Sequence, residues 1–127
     1  GQADTITDFV ANTFGGTGTT SVAASAASVA NAAKWTGDVI QLAHGTPTSV
    51  GATVGTAITV GVYTNASDAT TFLATQSGQE GLTQSVHAAL NSTTGDLYVD
   101  INGDGVADLY LHLTGVNTLT AAAFVVL

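Results

Sequence analysis

The sequence predicts a mainly β fold: a β-sandwich or β-roll-like set of strands, one or two short helices, and a hairpin near the carboxy end that carries an acidic loop. Three observations support this. Hydrophobic residues make up 45% of the 127 residues and charged residues 8%, a composition that folds into a packed core. Thr, Val and Gly are abundant and Pro occurs once, the usage of strands and turns. The clearest periodic segments have period two. Leu97, Val99 and Ile101 point one way, as do Leu109, Leu111 and Leu113, with Tyr98, Tyr110 and His112 opposite. No linker and no solenoid repeat divides the chain, so residues 1–127 are expected to form a single domain.

Taken in order, residues 4–10 alternate as a short strand and Gly15, Gly16 and Gly18 interrupt it. Residues 21–35 are Ala-rich, with Val22, Ala26, Val29 and Ala33 at helical spacing behind Thr20 or Ser21, and predict a first helix. Gly37 ends it, and residues 38–42 follow as a strand. Residues 46–57 form a loop and residues 58–63 a strand. Ser67 and Asp68 are expected to cap a second helix reaching about Gln76, with Phe72 and Leu73 buried. Strands at 82–90, 96–101 and 109–114 come next. A turn at 119–123 leads to a last apolar stretch at 124–127.

The charge balance excludes several functions. There is one Lys and no Arg against eight Asp and one Glu, a formal net charge of −8. Such a chain cannot neutralise phosphates, so neither nucleic acid nor anionic lipid is an expected partner. Cations are. Cys is absent, which rules out disulfides and thiolate metal sites. The longest apolar run, residues 121–127, is far too short to span a membrane. A start at Gly1 without any Met predicts a processed or excised part of something longer.

Residues 100–108 read Asp-Ile-Asn-Gly-Asp-Gly-Val-Ala-Asp. With Asp100 at position one, oxygen ligands fall at Asp100, Asn102 and Asp104, glycine stands at position six, the Val106 carbonyl at seven and Asp108 at nine. This is the first part of an EF-hand-type calcium loop. Calcium takes six to eight hard oxygens, and alternate residues on a tight curve point inward together. Position twelve is Leu111 instead of Glu, so the closing carboxylate is expected from Asp108 or from elsewhere, with Asp96 as a candidate. Period-two flanks place the loop on a hairpin, not between helices. A bare Asp-Gly turn is the simpler explanation, but it leaves Asp100, Asn102 and Asp108 at ligand spacing unaccounted for. Asp4, Asp8 and Asp38 form a second, weaker acidic set.

Other chemistry is thinly represented. His44, His87 and His112 share no ligand spacing, and His87 is expected to be an ordinary half-exposed strand residue. No nucleophile elbow marks a Ser/His/Asp triad, and the chain is not expected to be an enzyme. Tyr98 and Tyr110 on one side of the hairpin, with Trp35 and Tyr63, could stack on a sugar, although cross-strand packing suffices to explain the pair.

The segments Asp4-Thr5-Ile6-Thr7-Asp8-Phe9, Gly37-Asp38-Val39-Ile40-Gln41-Leu42, Phe72, Gly95-Asp96-Leu97-Tyr98 with the acidic loop, Leu113-Thr114-Gly115-Val116, and Leu119-Thr120 to Phe124 resemble, in that order, the carboxy-terminal region of type I secreted proteins. That group includes RTX proteins, the serralysin C-terminal domain and Caulobacter-type surface-layer proteins. The resemblance implies a secreted, extracellular or cell-surface calcium-binding domain of a surface-layer or adhesin-like protein. It further implies that residues 1–10 are the edge of a calcium-binding β-roll and that the last residues are an uncleaved signal read by a type I exporter. Self-assembly or a cell-surface polysaccharide are the partners it suggests besides calcium. Gln2 stands where the roll repeat has glycine, and no further repeat is present. The rival expectation is a carbohydrate-binding or adhesive module.

Overall fold

Alternating apolar residues assemble one mixed sheet, seen in a computed structural model that describes residues 4–14, 22–23, 34–42, 57–80 and 86–126. The strands are β1 Asp4–Ile6, β2 Val22–Ala23, β3 Ile40–Leu42, β4 Ala57–Tyr63, β5 Val86–Asn91, β6 Asp96–Asp100, β7 Leu109–Leu113 and β8 Phe124–Val126, with one helix, α1 Ala66–Thr75, between β4 and β5. The fold is mainly β with a short helix, as the sequence predicts. The main sheet has the order β1-β7-β6-β5-β4-β2, and β3 pairs with β8 in a separate two-stranded sheet.

Two hairpins, β5–β6 and β6–β7, are antiparallel, whereas β1 on β7, β4 on β5 and β3 on β8 are parallel. A parallel pair needs a crossover, and α1 supplies it between β4 and β5. The two faces of the main sheet then differ. Ile58, Val60, Val86, Ala88, Leu90, Leu97, Val99, Leu111 and Leu113 join Leu42, Leu119, Phe124 and Val126 in the larger core. The second sheet is thus reduced to β3 and β8 lying in that core. On the opposite face, Ala69 and Leu73 of α1 pack on Ala89, flanked by Tyr63, Phe72 and Tyr98. Burying Leu73 there contributes about 2 kcal/mol.

Asn65 caps α1, two residues ahead of the expected Ser67. Its Oδ1 accepts from the Asp68 N–H at 2.8 Å and its Nδ2 donates to Asp68 Oδ2 at 2.9 Å, a reciprocal cap that satisfies an otherwise orphaned N–H. Ala69 and Leu73 are the fully buried helical positions, and Phe72 is half-buried. The helix expected over 21–35 is corrected at its start, where Val22 and Ala23 pair antiparallel with Ile58 and Ala57; residues 24–33 lie outside the described residues. So do residues 43–56 and 81–85. The first strand is shorter than expected. After Ile6 the chain bends and rejoins regular pairing at the Ala11–Asp38 bridge.

Asn12 is buried and fastens distant segments together. Its Oδ1 accepts from the Thr36 and Phe14 N–H groups, and its Nδ2 donates to the Phe14 and Ala122 carbonyls. Among the described residues no helix is long and apolar enough to cross a membrane.

Candidate metal centre

The acidic loop connects β6 to β7 and begins on the last residue of β6. Parity along β6 turns Asp100 to the same face as Tyr98, under the carboxy end of α1, and Asp100 is 0% exposed. A buried carboxylate requires partners, and backbone N–H groups provide them. Asp100 Oδ1 accepts from Gly103 N at 2.7 Å and Oδ2 from Gly105 N at 2.8 Å. Burial pushes its pKa above the ordinary carboxylate value; the two backbone N–H groups pull it down, and the charges of Asp104 and Asp108 push it up again.

The other oxygens curl the loop in the same way. Asn102 Oδ1 accepts from Asp104 N at 3.0 Å and Asp104 Oδ1 from Val106 N at 2.9 Å. The Asn102 amide also reaches Asp104 Oδ2, at 3.4 Å. Asp108 folds back over the loop entrance, where its Oδ2 accepts from Ile101 N at 2.7 Å and Asn102 N at 3.4 Å. The Val106 side chain is 66% exposed. Each of the carboxylate oxygens has lone-pair capacity beyond the N–H it accepts.

Gly103 and Gly105 both have left-handed backbones, with φ of +84° and +87°, which a side chain disfavours. They also let the loop dock. A Cβ on Gly103 would lie 2.7 Å from the Gln79 backbone, and one on Gly105 would lie 2.7 Å from Ser77 Cβ and 3.2 Å from the Leu73 carbonyl oxygen. Gln79 N donates to the Gly103 carbonyl at 3.0 Å. The loop is therefore seated on the end of α1 and the turn after it, a contact between residues 73–80 and 103–105 that ligand spacing alone does not foresee. Gly103 is the available signal, because position four of the ligand pattern does not call for glycine.

Asp96 stands elsewhere. It opens β6, about 13 Å along the strand from Asp100 at some 3.3 Å per residue. Its Oδ1 meets His112 Nδ1 at 2.8 Å and its Oδ2 accepts from the Thr94 hydroxyl at 2.8 Å. Partial burial pushes the Asp96 carboxyl up, but the hydrogen bonds from His112 and Thr94 and the charge of His112 outweigh it and hold the pKa below the usual value. Asp96 therefore does not face the loop it was expected to close, whereas Asp108 folds back over the loop entrance.

The weaker acidic set is spread along the amino-terminal segment. Asp4 pairs in register with Leu111, Asp8 lies in the bend after β1, and Asp38 Oδ2 accepts from Val10 N at 2.9 Å. Among the described residues no three His, Cys, Asp or Glu side chains are gathered into a group that could hold a metal in this arrangement. The one Lys, Lys34, lies over the Phe14 ring at 5.7 Å.

His87 is 3% exposed, not half-exposed, with its ring edge-on to Phe72 at 6.2 Å and its register partner Asp100 across the β5–β6 pair. His44 lies outside the described residues. Tyr98 and Tyr110 stack at 4.9 Å and 5°, the cross-strand pairing their alternation predicts. No family model, curated protein or solved structure matches the chain.

Proposed function

We propose that residues 100–108 bind one calcium ion and that this binding stabilises an extracellular, non-catalytic domain. The observation that supports the proposal best is the chemistry of the donor set. Three carboxylates and an amide at alternate positions of one tight loop press a fully buried aspartate against two like charges. Backbone N–H dipoles offset that repulsion in part, and a divalent cation would offset most of the rest.

Asp100, Asn102 and Asp104 would supply side-chain oxygens, Val106 its carbonyl and Asp108 the closing carboxylate. Calcium in such a site supplies charge neutralisation, and its binding free energy adds to folding because the unfolded chain has no cage. Without a glutamate at position twelve the expected affinity is that of extracellular modules, with a dissociation constant of about 10⁻⁴ to 10⁻³ M. The calcium concentration outside cells then fills the site.

A role in secretion fits the same picture as part of this proposal. β8 is buried, so an exporter reading the carboxy end would have to engage the chain before it folds, and calcium encountered outside would favour closure. Calorimetric titration with calcium tests the core claim. Saturable uptake of one ion, lost in Asp104→Ala and unchanged in Asp96→Asn, is expected; unchanged uptake by Asp104→Ala would falsify the site.

A further inference from the structure

The helix covers only part of its side of the sheet. It packs on β4, β5 and β6, and beyond it Tyr110 of β7 and Thr5 of β1 are exposed on the same face. Strand register arranges two rows there. Thr5, His112 and Asp96 lie side by side at one level, and Tyr110 and Tyr98 at the next, about 6.8 Å further along the strands. Tyr98 is half-buried beside the helix, whereas Tyr110 is 37% exposed and Thr5 is exposed.

From this arrangement we propose that the strip formed by Tyr110, Tyr98, His112, Asp96 and Thr5 binds a neutral saccharide. A pyranose ring has an apolar face and a rim of hydroxyls, and the strip offers a matching pair of surfaces. The tyrosines, 4.9 Å apart and 5° from parallel, stack on one another and hold Tyr110 rigidly, so that the exposed part of its ring is the aromatic surface for the sugar. The row beside it supplies polar groups already held in place. Asp96 is fixed by His112 and Thr94, so it keeps acceptor capacity for a hydroxyl without having to be ordered on binding. The second nitrogen of His112 and the Thr5 hydroxyl add a donor or acceptor each.

Charge selects the class of sugar. The only basic group on the strip is His112, already bonded to Asp96, in a chain of net charge −8. Uronates and sulfated or phosphorylated glycans are repelled. A polycation would be attracted by the net charge, and the oligolysine arm of the test separates that outcome from a neutral sugar.

The Asp96 row of the strip lies at the far end of β6 from the acidic loop, whereas Tyr98 and Tyr110 stand two residues from Asp100 and Asp108, so the strip is titrated in both calcium states. The test is ring-signal NMR of the whole chain, with and without calcium, titrated with glucan, mannan, galactan and chitin oligosaccharides, with oligoglucuronate and oligolysine as charged probes. At least one neutral oligosaccharide is expected to shift the Tyr98, Tyr110 and His112 signals. Tyr110→Ala is expected to weaken binding by about ten-fold, the loss of one favourable stacking contact. Asp96→Asn is expected to weaken it less and Tyr63→Ala not at all. Asp96→Asn keeps the tyrosine pair, so it reports on the strip even if Tyr110→Ala fails to fold. Silence with every neutral sugar, shifts confined to the shallow depression that Tyr63, Asp68, Thr71, Phe72 and Thr75 line on the helix, or a response to the charged probes alone would overturn the proposal.

Discussion

The two ends of β6 solve one problem in opposite ways. Asp96 and Asp100 sit four residues apart on the same strand and point to the same face of the sheet. Asp96 has a histidine as counter-charge and a hydroxyl donor, and its pKa falls. Asp100 has backbone N–H groups and two like charges, and its pKa rises. A partly exposed carboxylate with a partner is stable as it stands; a fully buried one facing two like charges would gain from a cation, which is what the proposed calcium site would supply. The difference lies in what each carboxylate faces, since residue type, strand and parity are shared.

The most severe way to break this contrast is Asp100→Ala. It leaves the Gly103 and Gly105 N–H groups without their acceptor, and chemical denaturation is expected to show a loss of about 2–5 kcal/mol together with loss of calcium uptake. Calcium itself should come next. At one hundred times the dissociation constant it adds about 2.7 kcal/mol, read as a melting temperature higher by about 10 °C than in chelator. No difference in melting between calcium and chelator would contradict a folding role for the ion.

Gly105→Ala is expected to cost about 2 kcal/mol, from backbone strain at φ +87° plus the overlap with Ser77. Hydrogen exchange at residues 73–80 should rise with it if the loop and the helix end are one unit. Asp96→Asn should cost less than about 1 kcal/mol, because the pair with His112 is partly exposed.

pH sharpens the contrast through sign. In the metal-free protein the raised Asp100 pKa means that the native state holds this proton more tightly than the unfolded chain does. Stability from this group is full below the ordinary carboxylate value and lost as pH rises through the raised one. Asp96 runs the other way: its contribution is present above the ordinary value and lost as pH falls through the lowered one. Subtracting the pH–stability profiles of Asp100→Asn and Asp96→Asn from that of the unsubstituted chain should give curves of opposite slope.

Much of this architecture is legible in the sequence where one face is apolar and the period is two. β5, β6 and β7 follow from Val86, Ala88 and Leu90, from Leu97 and Val99, and from Leu109, Leu111 and Leu113. Ambiguity arises where residues serve two periods equally well. Val22 lies among alanines that suit a helix, and pairing with β4 decides its conformation. Asn65, Ser67 and Asp68 are all competent caps, and only the start of the helical register selects Asn65. Asp96 is near the loop in sequence yet remote from it in space, because an extended strand separates residues fastest. The seating of the loop on α1 is a tertiary contact, with Gly103 as its only local trace.

The Asn12 side chain bonds the Ala122 carbonyl across 110 residues, and β8 closes the larger core by pairing with β3. Local hairpins such as β6–β7 can form quickly, whereas contacts between distant segments are slow to find. The larger core cannot be sealed until Phe124–Val126 has found β3, so its closure is expected to follow the local hairpins in folding.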